Sequence, residues 1–399
     1  MEEMKNQQRI FFEFLRFCIG TVQEVPSSLK GADWRVLYAM ARKQCLVGVL
    51  FDGIKRLPAD VGMDKELLFQ WMAQNQTLRK ANARLDKAAV EVAEWFGRKG
   101  FRTCVLKGQG NALLYPSGME RTPGDIDLWV DGGDRKVVSF VRSLSPDEKV
   151  CYHHIGFPEY NGVEVEVHFR PSFLFCFRHN RRLQGYYERV MDEQFAHRVK
   201  FGEQGEVAVP KAEFNLIFQL THIFTHLMNE GIGLRQLLDY FFLLKNTDLG
   251  GNTNGGVFGA NTDFTDNTDK FSGNTDGDGF WVNTDLTGRR LLQDELRRLG
   301  LWEFAGAVMY IMKEVFGLED NRLIVPPDVK RGRLVLKEVL EAGNFGQYDK
   351  RNWFGHSALG HNLQRLYRDM RLVRYFPEEA LSEPFFRIWH FFWRKRIVR

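Results

Sequence analysis

The chain has 399 residues, 44% of them hydrophobic and 27% charged, a balance that excludes an intrinsically disordered chain and is large enough for two or three domains. A formal charge of +4 permits contact with phosphates but falls short of the basic excess that marks a dedicated nucleic-acid binder. The five cysteines, Cys18, Cys45, Cys104, Cys151 and Cys176, are odd in number and show no CxxC spacing, which argues against a disulfide framework or a zinc knuckle and for a reducing compartment.

The opening MEEMKNQQRIFFEF has no basic segment followed by an uninterrupted apolar run, so it does not read as a signal peptide. No apolar run reaches the roughly 18 residues a membrane helix needs, and the expected location is the cytoplasm. From residue 3 to about 97 the pattern is helical. Phe11, Phe12, Leu15 and Ile19 recur at helical spacing, as do Trp34, Leu37, Tyr38 and Ala41. Asp64 to Phe96 reads as one long helix or two in series. Residues 1–97 are therefore expected to form an N-terminal helical region.

The pattern changes after Gly100. Thr103-Cys-Val-Leu106 reads as a short strand ending at Lys107-Gly108, and a short helix to Tyr115 follows. A loop with Pro116, Gly118, Pro123 and Gly124 leads into a second strand, Asp125-Ile-Asp-Leu-Trp-Val130, then a turn at Asp131–Asp134 and a helix over 135–144. Val163-Glu-Val-Glu-Val-His-Phe169 alternates strictly and predicts a half-buried strand. Residues 98–210 thus read as a mixed α/β core. Pro210 suits the first turn of a new helix, and helical periodicity fills most of 211–399. It is interrupted at about 246–286, where Asn-Thr-Asp recurs at 246, 261, 267, 274 and 283 among glycines and aspartates. That tract reads as an expanded, largely disordered surface loop. Its aspartates match no twelve-residue calcium loop. The expected fold class is α+β, a small mixed β-sheet flanked by N-terminal and C-terminal helical regions.

The chemistry concentrates on Asp125 and Asp127. Side chains alternate along a strand, so both carboxylates share a face, about 7 Å apart. Such a pair can hold one or two Mg²⁺ ions, which in two-metal sites bind a triphosphate and stabilise the leaving pyrophosphate. A third carboxylate is needed from a neighbouring strand, and Glu164 and Glu166 both stand on one face of the alternating strand. Upstream, the turn Lys107-Gly108-Gln109 opens a helix where backbone N–H groups can meet phosphates.

The order Leu106-Lys107-Gly108, Leu114-Tyr115-Pro116, Arg121, Asp125-Ile-Asp-Leu and Glu166-Val-His-Phe-Arg170 resembles a bacterial nucleotidyltransferase family of largely uncharacterised function, within the DNA polymerase β-like superfamily. His226 and Leu234-Arg235-Gln-Leu-Leu-Asp239 look like the helical segment after that family's core. The resemblance implies Asp125, Asp127 and Glu166 as metal ligands, two Mg²⁺ ions as cofactors, an NTP as substrate, and Lys107 and Gly108 at the phosphate loop. Gln109 departs from the superfamily, where a small Gly or Ser usually stands; its side chain is expected to crowd a triphosphate.

Arg121 either reaches the triphosphate or orders its loop through an ion pair. His168 shares a face with Glu166 and either orients a carboxylate or contacts substrate. His222 and His226 share a helix face without the glutamate of a zinc-protease motif. Arg235 and Asp239, also four apart, are expected to pair across one turn. The aromatic, basic C-terminus over 385–396 is expected to complete a helical core rather than lie on a membrane surface. The function implied is transfer of a nucleoside monophosphate to an acceptor hydroxyl, on a small molecule, a sugar, a protein or an RNA end. The alternatives are an inactive nucleotide-binding protein and a toxin–antitoxin or defence enzyme acting on tRNA.

Overall fold

The computed structural model describes residues 2–58, 62–248, 286–351 and 358–398. Four helices open the chain: α1 (Glu2–Cys18), α2 (Trp34–Lys43), α3 (Val47–Ile54) and α4 (Lys65–Arg98). The stretch after Asp64 is one continuous helix of 34 residues. Asp64 starts it by accepting the Leu67 N–H at 2.7 Å, which satisfies one of the donors every helix start leaves open.

The sheet follows. Strands β1 (Thr103–Leu106), β2 (Ile126–Val130), β3 (His154–Tyr160) and β4 (Val163–His168) lie in the order β1-β2-β4-β3. β2 runs parallel to β4, and the other two pairings are antiparallel. Helices α5 (Gly108–Ala112) and α6 (Gly133–Leu144) join the early strands, and α7 (Phe177–Ala196) leads to a small hairpin of β5 (Arg198–Lys200) and β6 (Glu206–Ala208). The edge strand β3 was not foreseen. Its Gly156 and Pro158 speak against a strand, and proline is tolerated only where a missing N–H breaks no ladder, at an edge or an irregularity. Both conditions hold here, because the register shifts between Phe157 and Tyr160.

Alternation sorts the strand residues between two cores. Val105, Ile126, Leu128, Val130, Val163, Val165 and Val167 face α4 and α6, where they pack with Ala88, Val92, Phe96 and Val137. The opposite face carries Asp127, Trp129, Glu166 and His168 and looks toward later helices; Trp129 packs on Phe195 and Phe214. Those later helices are α8 (Ala212–Asn229), α9 (Leu234–Asn246), α10 (Leu286–Arg298), α11 (Trp302–Glu314), α12 (Val329–Ala342), α13 (Ala358–Leu372) and α14 (Pro377–Ile397). α8 begins two residues after Pro210, with Lys211 as its N-cap. One apolar cluster runs from Phe11 and Phe14 of α1 through Phe218 and Phe241 of α8 and α9 to Phe304 of α11 and Phe386 of α14. The architecture is the expected α+β class, a small mixed sheet between N- and C-terminal helices.

The expectation for the C-terminal aromatics holds in part, with Phe386 and Trp393 packed against the core. Phe386 is buried, but Phe385 and Phe392 are 68% and 64% exposed. Successive residues of a helix turn by about 100°, so adjacent aromatics cannot share one buried face. The readings made for the Asn-Thr-Asp tract fall almost wholly on residues 249–285, outside the described residues.

Candidate active site

The β2–β4 pairing sets Asp127 directly opposite Glu166, and both side chains stand on the face away from α4. Asp125, just before β2, joins them in lining a cavity of about 570 Å³. Glu164 is exposed and lies outside this cavity. It is one pleat further back along β4, beyond the part of the strand paired with β2. Asp127 is buried and holds two cationic partners. Lys107 Nζ lies 2.6 Å from its Oδ1, and His168 Nε2 donates to the same oxygen at 2.8 Å. His168 Nδ1 donates to the Arg170 carbonyl at 3.3 Å. With an acceptor at each nitrogen, the ring is held as an imidazolium.

Lys107 reaches this position through an uncommon backbone. Its φ is +46°, followed by Gly108 at +34°. A non-glycine residue at positive φ stores about 1–3 kcal/mol of strain and persists where its surroundings over-determine it. Here the kink between β1 and α5 projects the ammonium into the cavity, where it also meets His222 Nε2 at 3.2 Å.

Residues 30–254 match the model of a family described as an uncharacterised nucleotidyltransferase. The chain belongs to that family. No curated protein and no solved structure matches it. The enzyme is thus a transferase by family, and among its described residues no helix is long and apolar enough to cross a membrane.

The electrostatics of the candidate site are those of crowded carboxylates. The Asp127 carboxylate, with burial second, pushes the Asp125 carboxyl up to about 6. Burial would raise Asp127 too, but Lys107 and His168 outweigh it and hold that carboxyl well below its usual range. Burial works against a charged His168, yet its hydrogen bonds to Asp127 and Glu166 raise it to about 9. Asp127, Glu166 and His168 each offer an atom within 4.8 Å of the other two.

Two expectations change. Gln109 does not crowd the cavity: it is buried and turned toward α4, where its amide donates to Asp86. Arg235 and Asp239 do not form the expected pair. Asp239 turns instead to Arg121, which donates from Nε at 2.8 Å and from Nη2 at 2.7 Å, and to the Tyr115 hydroxyl at 2.6 Å. A planar guanidinium matches a carboxylate in this two-pronged way. Arg121 therefore orders its loop. Arg235 donates to the Pro123 carbonyl at 3.3 Å and keeps a buried Nε without a hydrogen-bond partner.

His226 also lines the cavity, edge-on to His222 with ring centres 4.2 Å apart. Sequence reasoning passed over His153 and His154. His154 Nδ1 lies 3.2 Å from Glu166 Oε2, and burial lowers its pKa to about 4, so the ring is neutral. The adjacent His-His pair at the start of an edge strand was the available signal. The cavity's far wall, with Phe386, Arg387 and His390 of α14, had no signal in local sequence.

Proposed function

We propose that the enzyme transfers a nucleoside monophosphate from an NTP to an acceptor hydroxyl, with Asp125, Asp127 and Glu166 holding Mg²⁺. The observation that carries this reading is the parallel β2–β4 register, which puts Glu166 beside Asp127 on the cavity face. The donor set fits the ion: three carboxylates supply hard oxygens, as Mg²⁺ prefers. The raised pKa of Asp125 marks negative charge in excess of the cations present, and the Lys107 ammonium rests on Asp127 where positive charge is wanted. When bound, the metal supplies charge neutralisation for the phosphates and lowers the pKa of the attacking hydroxyl.

The chain's own groups do the rest. His168 fixes the orientation of Asp127 by donating to it from Nε2 at 2.8 Å, and the same nitrogen forms an ion pair with Glu166 at 3.5 Å. Lys107 and Arg235 stand within the cavity as phosphate partners, Gly108 lets the backbone of the turn approach them, and Arg121 with Asp239 holds the loop that delivers Asp125. Glu166 or Asp127 accepts the proton of the acceptor hydroxyl. Catalysis of this kind is positioning and electrostatics rather than covalent chemistry.

The test is incubation with each of four α-phosphate-labelled NTPs, Mg²⁺ and a cell lysate, followed by identification of the labelled species. Label should appear with one or more NTPs and vanish with Asp127→Asn. Labelling that persists in Asp127→Asn, or never occurs with any NTP, sinks the assignment.

A further inference from the structure

Away from the carboxylate site, the start of α7 meets the start of α14. Cys176 is the N-cap of α7, His179 sits in its first turn, and Glu379 sits in the first turn of α14. The thiol, the imidazole and the carboxylate each offer an atom within 4.8 Å of the other two. We propose that these three side chains form a zinc site that clamps α14 to α7.

Four observations support it. His179 is buried, and its Nδ1 has no hydrogen-bond partner. Its other nitrogen, Nε2, lies 3.2 Å from Glu378. A ring that donates to this carboxylate through Nε2 has Nδ1 as the nitrogen open to a metal. Nδ1 faces Glu379 Oε1 at 3.6 Å, beyond hydrogen-bond distance, and a cation between the two would meet both. The arrangement of carboxylate, imidazole and open nitrogen is the one that orients metal-binding histidines.

Glu379 is oriented as well. Its Oε2 accepts the Phe175 N–H at 2.6 Å, the Cys176 N–H is shared between Oε2 and Oε1 at 3.3 and 3.4 Å, and Oε1 also faces the histidine. Gly300 packs close against one side of the ring; a Cβ there would come within 2.2 Å of the imidazole. Arg178 also lies 3.4 Å from Nε2, but it donates at 2.9 Å to Glu378 and so belongs to the outer pair.

The ligand types select the metal. One sulfur, one nitrogen and one carboxylate oxygen suit zinc, with water at the fourth position. Bonds of about 2.0–2.3 Å place tetrahedral ligands roughly 3.3–3.8 Å apart, and the three donor atoms all lie within 4.8 Å of one another. Binding releases the thiol proton to solvent, and the thiolate with the Glu379 carboxylate balances the charge of Zn²⁺. The absence of a CxxC motif does not bear on this site, since its ligands come from elements 203 residues apart.

The experiment uses the full chain, stripped of metal, titrated with Co²⁺ and then with Zn²⁺. One equivalent of Co²⁺ should give a thiolate-to-cobalt absorption band, which Zn²⁺ bleaches. The band should be lost in Cys176→Ser and kept in Asp127→Asn, which separates this site from the Mg²⁺ site. A second measurement needs no variant: one equivalent of Zn²⁺ should protect Cys176 from alkylation, read by peptide mass spectrometry. No band in the wild-type chain, a band that survives Cys176→Ser, a band lost in Asp127→Asn, or alkylation of Cys176 unchanged by Zn²⁺ would each overturn the proposal.

Discussion

At the scale of single residues, the site turns on which carboxylates share the cavity. Glu164 and Glu166 cannot be told apart by alternation, but the register pairs Glu166 with Asp127 and leaves Glu164 exposed. Glu166→Gln should lower turnover by about a hundredfold or more, on the scale of losing a group that stabilises transition-state charge, and comparably to Asp127→Asn. Glu164→Gln should stay within about twofold, as a solvated charge outside the cavity. Steady-state kinetics, with circular dichroism as the folding control, checks both. Asp125 makes a prediction about pH. Its folded pKa lies above the ordinary carboxylate value, near 6, so the folded state holds the proton more tightly than the unfolded one. The stabilisation is complete below the unfolded pKa of about 3.9 and is lost as pH rises toward 6. The metal-free enzyme should therefore lose stability over that window. Asp125→Asn, which cannot ionise, should be more stable than wild type at pH 7 by about 1–3 kcal/mol. Melting curves in chelator at pH 4.5 and 7 measure it, and a variant less stable than wild type at pH 7 refutes the account.

At the scale of elements, the long-range pairings decide what local spacing could not. The two acidic strands, the long helix α4 and the Lys107-Gly108 turn were legible because each has its own short-range signature: alternation, helical periodicity with an Asp64 cap, and glycine at a kink. The partner of Asp239 was not. Spacing on α9 offered Arg235, one turn away, but side-chain partners follow from packing, and Tyr115 and Arg121 converge on that carboxylate from the loop ahead of β2. Strand β3 was hidden for a related reason, since Pro158 is acceptable only because of where the strand lies in the sheet. The Arg121–Asp239 pair carries a strong stability prediction. Both groups are buried, and Asp239→Asn leaves an unmatched guanidinium in the interior, a loss of about 3–5 kcal/mol for pairs of this kind. Denaturant titration should show it, together with loss of turnover through displacement of Asp125. A change below about 1 kcal/mol would mean that water replaces the carboxylate. Gln109→Ser, by contrast, should leave NTP affinity unchanged, because that side chain faces Asp86 on α4; isothermal titration compares the two proteins.

At the scale of the whole molecule, the cavity is a joint product of the sheet, the α8–α9 pair and the C-terminal helices, and ligand binding should stabilise all of them together. An NTP with Mg²⁺ at about a hundred times its dissociation constant should raise stability by about 2.7 kcal/mol. The melting temperature should rise for at least one of ATP, GTP, CTP and UTP and only when Mg²⁺ is present. The same rise without metal would detach nucleotide binding from the carboxylates. The parts of the cavity that sequence missed are those contributed from far along the chain, because nothing local in Phe386 or His390 points to Asp127. That distance has a consequence for the newborn chain. The cavity wall begins at Lys107 and ends at His390, and translation proceeds at roughly 5–20 residues per second, so the two ends are made on the order of half a minute apart. During that interval the sheet and its acidic face can form, but the wall opposite does not yet exist. A ribosome-bound intermediate would display three clustered carboxylates and a bare aromatic surface to the surrounding solution. The enzyme should therefore stay inactive on the ribosome until α14 is made and closes the cavity.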